Sequence, residues 1–181
     1  HQDTLFTGPL PPKEIEPDGF IGPKQFAPRI NGRQYYKNCY ICGDIDFIFG
    51  SATAYFENCV IESLCLTTNV NDIQGYITAA STPESQEYGY VFSNCKLISK
   101  DCPPNSVYLG RPWRNYAKTV FLECALGKHI HECGFHDWKK EDARNTVLYA
   151  EYRNYPASSA DTTSNNRSLN DDIHCIDGRC I

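Results

Sequence analysis

Tyr36-Lys37-Asn38-Cys39-Tyr40-Ile41 returns as Phe56-Glu57-Asn58-Cys59-Val60-Ile61 and again as Phe92-Ser93-Asn94-Cys95-Lys96-Leu97. A looser copy follows in Phe121-Leu122-Glu123-Cys124-Ala125-Leu126. The shared theme is aromatic, any, Asn, Cys, any, aliphatic, with successive cysteines 20, 36 and 29 residues apart. A constant motif at irregular offsets is what a solenoid gives when its turns carry loops of different length. Segments near these copies are β-branched or aromatic with period-two alternation: Ile45 to Phe49, Tyr76 to Ala80, Val107 to Leu109 and Thr146 to Tyr152. Asn tolerates a left-handed backbone, so each Asn-Cys pair is expected to turn one short strand into the next. Helical patterning is scarce; Glu141 to Leu148 has room for a turn or two. A β-sandwich would show turns every 8–12 residues or so. The Asn-Cys recurrence instead favours an all-β, parallel β-helix.

Outside the repeat, residues 8 to 34 carry six prolines and read as a long loop, and from 157 the chain becomes a polar tail. The expected division is therefore a β-helix over 1–156 and a poorly packed tail over 157–181. The 181 residues, 41% of them hydrophobic, suffice for a real core, and no run approaches the ~20 apolar residues of a membrane span. A net charge of −5 without a Lys/Arg cluster argues against a nucleic-acid groove or an anionic membrane surface. Met is absent and the chain opens on His1, from which we expect a piece of a longer protein whose N-terminal signals lie elsewhere.

Ten cysteines fit either disulfides or a row of buried thiols. Cys39 and Cys42 have CxxC spacing, but no second CxxC completes a zinc site. His129, His131, Cys133 and His136 form another cluster between Gly127 and Gly134; a structural role is the favoured reading, and no metal or cofactor is expected. Cys175 and Cys180 lie in the polar tail, where they have room to pair.

Chemistry concentrates in three segments. In Gly43-Asp44-Ile45-Asp46-Phe47-Ile48-Phe49-Gly50, regular alternation puts Ile45, Phe47 and Phe49 toward the core and Asp44, Asp46 and Ile48 on the other face. A carboxylate in so apolar a strand is unusual. Gln2-Asp3-Thr4-Leu5 sets an amide beside a second carboxylate. Leu109-Gly110-Arg111-Pro112-Trp113 ends a strand with a guanidinium able to hold a carboxylate through two bonds, and with an indole offering a flat face to a sugar ring. On a solenoid these segments can meet in one groove.

Together, in their order along the chain, the three segments resemble signature blocks of the pectin methylesterases, and stretches 127–138 and 147–154 are similar to later family segments. The resemblance runs from Gln2 to about Pro156. It implies a right-handed parallel β-helix, here truncated at its N-terminal end, and hydrolysis of methyl esters on pectin. It assigns Asp46 as nucleophile, Asp3 as general acid and then base, Gln2 as oxyanion donor, Arg111 as the residue orienting Asp46, and Trp113 as a substrate contact. It also implies a disulfide between Cys39 and Cys59. No GxSxG elbow offers a serine alternative. The family's blocks upstream of Gln2, including a glutamine that supplies a second oxyanion donor, have no counterpart. Losing one such donor costs about 10²–10³ in rate, so this chain alone is expected to be weak or inactive. Asp44 and Ser51 also depart from the family pattern, Asp44 by placing a second negative charge near Asp46. The expected partner is methyl-esterified pectin, met outside the cell by a secreted monomer. Two readings stay open beside the esterase: a β-helix glycoside hydrolase, which also needs paired carboxylates, and a non-catalytic pectin-binding β-helix.

Overall fold

The computed structural model describes residues 2–8 and 30–157, with the backbone of 174–175. The chain winds through stacked coils, the first four each contributing one strand to each of three sheets. The first coil holds β1 (Leu5–Thr7), β2 (Arg33–Lys37) and β3 (Tyr40–Gly43), and the second β4 (Ile45–Gly50), β5 (Thr53–Glu57) and β6 (Val60–Ser63). Next come β7 (Gly75–Ala80), β8 (Tyr90–Ser93) and β9 (Lys96–Ile98), then β10 (Val107–Gly110), β11 (Lys118–Leu122) and β12 (Ala125–Leu126). The fifth coil enters through single bridges at Ile130 and Phe135, makes the one-turn helix α1 (Glu141–Arg144), and closes with β13 (Leu148–Tyr152) and β14 (Tyr155–Pro156). Pairing between coils is parallel throughout; β15 (His174–Cys175) lies antiparallel on β13. This is a parallel β-helix.

The repeat explains why the coils stack in register. Tyr36, Phe56, Phe92 and Phe121 occupy equivalent positions on β2, β5, β8 and β11. Their rings form a column with centroids 4.6, 4.3 and 4.5 Å apart and planes within 7°. Face contact of this kind adds about 0.5–1.5 kcal/mol per pair beyond the area it buries. At the next corner Asn38, Asn58, Asn94, Glu123 and Arg153 all take φ between 50° and 55°, the left-handed bend expected of the Asn positions. Their backbone N–H groups do not go to waste: Asn38 donates to the Glu57 carbonyl at 3.0 Å, Asn58 to Ser93 at 3.0 Å, Asn94 to Leu122 at 3.0 Å and Glu123 to Tyr152 at 2.8 Å. Corner and ladder are thus one continuous hydrogen-bonded surface, as buried backbone demands.

The cysteine that follows each of the first four bends points inward. Cys59, Cys95 and Cys124 are buried and Cys39 is half-buried. Each thiol lies 3.3–3.5 Å from the carbonyl two residues before it, and Cys59, Cys95 and Cys124 also reach the preceding coil, at Tyr36, Phe56 and Phe92. Here the disulfide expectation is corrected: Cys39 and Cys59 are both free thiols, equivalent rungs of a ladder whose S–H groups are spent on carbonyl oxygens. Cys124 ends the row, and its own N–H is taken by the Asn154 side chain at 2.9 Å.

Strand β4 departs from regular alternation. Ile45 pairs with Tyr76 but Ile48 pairs with Thr78, so β4 carries one residue more than β7 between those points. That is a β-bulge, and Asp46 within it has φ 51°. Beyond the bulge the faces exchange. Phe47 and Ile48 are both fully buried, while Phe49 turns outward and packs near Phe6 and Trp113, at 5.2 and 5.9 Å between centroids. The expected placement of Ile48 outside and Phe49 inside is therefore reversed, because the bulge adds half a period. Most of the loop expected over 8–34 and nearly all of the tail over 157–181 fall outside the described residues, with β2 beginning at Arg33.

Candidate functional site

On the outer face of the sheet formed by β1, β4, β7 and β10, a cleft of about 220 Å³ is lined by Gln2, Asp3, Asp46, Phe49, Ala79, Arg111, Trp113 and Trp138. Each sequence-derived candidate, Gln2, Asp3, Asp46, Arg111 and Trp113, is in it. They arrive from three different coils and meet because the coils stack in register.

Asp3 is brought in by β1, whose register sets Leu5 against Ile48 and Thr7 against Gly50. Continued two residues back, that ladder leads to Asp3 beside Asp46, and the Asp3 N–H donates to the Ile45 carbonyl at 3.2 Å. Both aspartates are left-handed, with φ of 54° and 51°. The far end of β1 is anchored by buried Thr7, whose hydroxyl donates to the Phe49 carbonyl at 3.1 Å and meets the Tyr90 hydroxyl, which donates to the Gly50 carbonyl at 2.9 Å. Gly50 has φ 126°, and a Cβ there would fall 2.2 Å from the Thr7 carbonyl oxygen. Glycine is therefore what lets β1, and with it Asp3, come this close.

Asp46 is 6% exposed and paired. Arg111 Nε donates to its Oδ1 at 2.8 Å and Nη2 to its Oδ2 at 2.7 Å, a fork-on-fork ion pair. Charge-assisted pairs of this geometry are strong and directional. One face of the guanidinium lies 3.8 Å from the Tyr76 ring centroid and the other 3.7 Å from that of Trp138. Asp3 carries its proton more tightly than an ordinary aspartate, whose value is 3.8: burial raises it most, the Asp46 charge raises it further, and Arg111 partly opposes both.

Asp44 lies outside the group. It precedes β4, and its Oδ1 accepts the Ile45 N–H at 2.7 Å. Ser51 is buried and donates to Asn31 Oδ1 at 3.2 Å. The histidines of the 129–136 stretch disperse: His129 is buried, which pushes its imidazole down to about 4, while His131 stacks on Tyr108 at 4.2 Å and His136 meets Tyr76 and Tyr108 edge-on. Among the described residues no group of three His, Cys, Asp or Glu side chains is arranged to hold a metal. Three residues at the site were not singled out from sequence: Phe49, assigned to the core by strict alternation, Tyr76, and Trp138, which fell in a family-like stretch without a role.

Comparison with known proteins meets this geometry. The Pectinesterase family profile matches residues 29–171. The chain belongs to the pectinesterase family. It is 38% identical over 156 residues to pectinesterase 31 of Arabidopsis thaliana, covering 84% of this chain and 46% of that protein. With the probable pectinesterase/pectinesterase inhibitor 13 of the same plant it shares 40% identity over 139 residues, or 73% of this chain and 22% of the relative. Among solved structures, the pectin methylesterase of Aspergillus niger superposes with a TM-score of 0.59 at 33% identity, over 77% of this chain and 46% of its own. A pectin methylesterase solved with a bound hexasaccharide gives 0.59 at 31%, over 75% and 46%. The chain thus spans less than half the length of these relatives. No helix among the described residues is long and apolar enough to cross a membrane.

Proposed function

We propose that the protein carrying this chain removes methyl esters from homogalacturonan and releases methanol, with Asp46 as nucleophile and Asp3 as acid and base. The observation that carries the reading is the doubly bonded Arg111–Asp46 pair sharing one small cleft with Asp3, whose carboxyl is raised above the ordinary aspartate value by burial and by the Asp46 charge. Acyl transfer needs one carboxylate to attack and one acid to protonate the leaving group, and the two aspartates sit in different environments, one clamped by Arg111 and one not. Arg111 holds the Asp46 carboxylate in one orientation, from which an oxygen attacks the ester carbonyl to give an acyl-enzyme anhydride. The Gln2 amide, on the cleft wall, donates to the developing oxyanion. Protonated Asp3 gives its proton to the departing methoxide; the resulting carboxylate then takes a proton from water, which opens the anhydride and frees Asp46.

Phe6, Phe49 and Trp113 form an apolar row along one side, at 5.2 and 5.9 Å between neighbouring centroids. Trp113 lines the cleft and offers the ring face on which a sugar would rest. The relatives solved with hexasaccharides support a polysaccharide substrate, and a cell-wall setting follows from that substrate. The test is methanol release from methylated pectin, run beside a reducing-end assay, on this chain and on a form extended to the length of its relatives. Methanol without new reducing ends, abolished by Asp46→Asn, is the expected result. New reducing ends would move the assignment to a glycosidase. Pectin binding unaffected by Asp46→Asn, with no methanol from a folded protein, would leave a binding module.

A further inference from the structure

We propose that Tyr76 and Trp138 are positioning residues that hold the nucleophile through Arg111. The inference rests on the esterase reading for the role of Asp46; its geometric basis does not. A guanidinium engaged through Nε and Nη2 is fixed within its own plane by the carboxylate, here at 2.8 and 2.7 Å, but is free to tilt about those bonds. Rings at 3.8 and 3.7 Å on its two faces remove that freedom. Stacking of this kind is favourable for a planar, weakly hydrated cation and is lost with an ammonium.

Both rings are themselves fixed. Tyr76, on β7, stacks on Tyr108 with centroids 5.6 Å apart and planes 8° apart, and Tyr108 stacks in turn on His131. The edge of His136 closes against Tyr76 and Tyr108 at 5.7 and 5.1 Å, so the Arg111 support is one end of a column spanning three coils. Trp138 sits at φ 56°, followed by Lys139 at the same angle, and its backbone N–H donates to His136 Nδ1 at 2.9 Å. Lys140 then turns back: its ammonium lies 4.2 Å from the Trp138 ring and donates to the carbonyls of Pro112 and Trp113 at 3.0 and 2.9 Å. The segment after Arg111 and the ring covering Arg111 are thereby tied together.

The two clamp residues differ in one useful respect. Trp138 lines the cleft, whereas Tyr76 does not. A substrate-contact role is thus open to Trp138 alone, and Tyr76 isolates the positioning effect. Initial rates of methanol release are to be measured for wild type, Tyr76→Leu and Tyr76→Phe in the extended form, with thermal melts to establish folding. Tyr76→Leu is expected to lower kcat about tenfold with KM within about twofold, and Tyr76→Phe, which keeps the ring, to stay within about twofold of wild type. A Tyr76→Leu kcat equal to wild type, a loss carried wholly by KM, or equal damage from Phe and Leu overturns the proposal. Crystal structures of the same variants give a second readout independent of turnover: Arg111 is expected to leave its two-bond pairing with Asp46 in Tyr76→Leu and keep it in Tyr76→Phe. Retention of both bonds in Tyr76→Leu overturns the clamp. A wild-type enzyme that releases no methanol defeats the esterase reading, and the crystallographic comparison then decides the clamp by itself.

Discussion

The interior and the cleft face of this β-helix are built by opposite rules. Inside, each of the first four coils supplies the same kind of residue at the same place: an aromatic ring, a left-handed corner, a thiol. On the cleft face no position repeats. Asp3, Asp46, Ala79 and Arg111 come from successive coils and share nothing but their address. Repetition gives a core whose rungs stack cooperatively. A register so fixed then brings unlike side chains from distant sequence to one point at no extra conformational cost.

The largest expected effect separates the two regions outright. Asp46→Asn should lower kcat by at least ~10³ while leaving the far-ultraviolet spectrum of the solenoid unchanged, measured by methanol release and circular dichroism. Phe92→Ala does the reverse. It empties the middle of the aromatic column, where Phe92 is fully buried, and should cost about 3–5 kcal/mol in denaturant unfolding, with KM unaltered in whatever fraction stays folded. Gly50→Ala lies on the border between core and cleft. The new Cβ must displace the Thr7 carbonyl, so the variant is expected to lose about 1–3 kcal/mol of stability and, because β1 shifts, activity as well. Stability loss at full activity would show that Asp3 does not depend on that close approach. Asn58→Ala, at a left-handed corner of the interior ladder, should cost about 1 kcal/mol with no catalytic effect.

The smallest effect concerns pH. Burial, with the Asp46 charge behind it, raises the Asp3 carboxyl above its ordinary 3.8. The folded state therefore binds a proton more tightly than the unfolded state, and its stability declines as pH rises from the ordinary aspartate value through the folded one. Asp3→Asn abolishes that decline. Its melting temperature relative to wild type should climb across this window and then level off, by a small amount because Asp3 is largely exposed. A flat difference across the window would mean that the protonation state of Asp3 is not set by the fold.

What the sequence disclosed follows the same division. The corners were legible because Asn38, Asn58 and Asn94 recur with a cysteine behind each, and the pattern survives irregular spacing. Asp46 was legible as a carboxylate out of keeping with its apolar strand, and Asp3 and Arg111 through the family-like segments that carry them. Phe49 was misplaced because the bulge at Asp46 is a backbone event that leaves no mark in an apolar–polar pattern. Tyr76 and Trp138 read as ordinary aromatics; what makes them a clamp is that the coils carrying β7 and β10 and the segment after Phe135 bring them to opposite faces of one guanidinium. The thiol state of Cys39 and Cys59 depends on where each sulfur points, which spacing does not encode.

The left-handed backbone at Asp46 and its pairing with Arg111 pull in opposite directions in any selection for stability. A non-glycine residue held there gives up about 1–2 kcal/mol that glycine would not. Removing the carboxylate, however, strands the largely buried Arg111 guanidinium at a cost of about 3–5 kcal/mol, so libraries screened for heat resistance alone should keep an acceptor at this codon rather than drift toward glycine. Glycine accumulating there in such a screen would show that the strained backbone outweighs the ion pair.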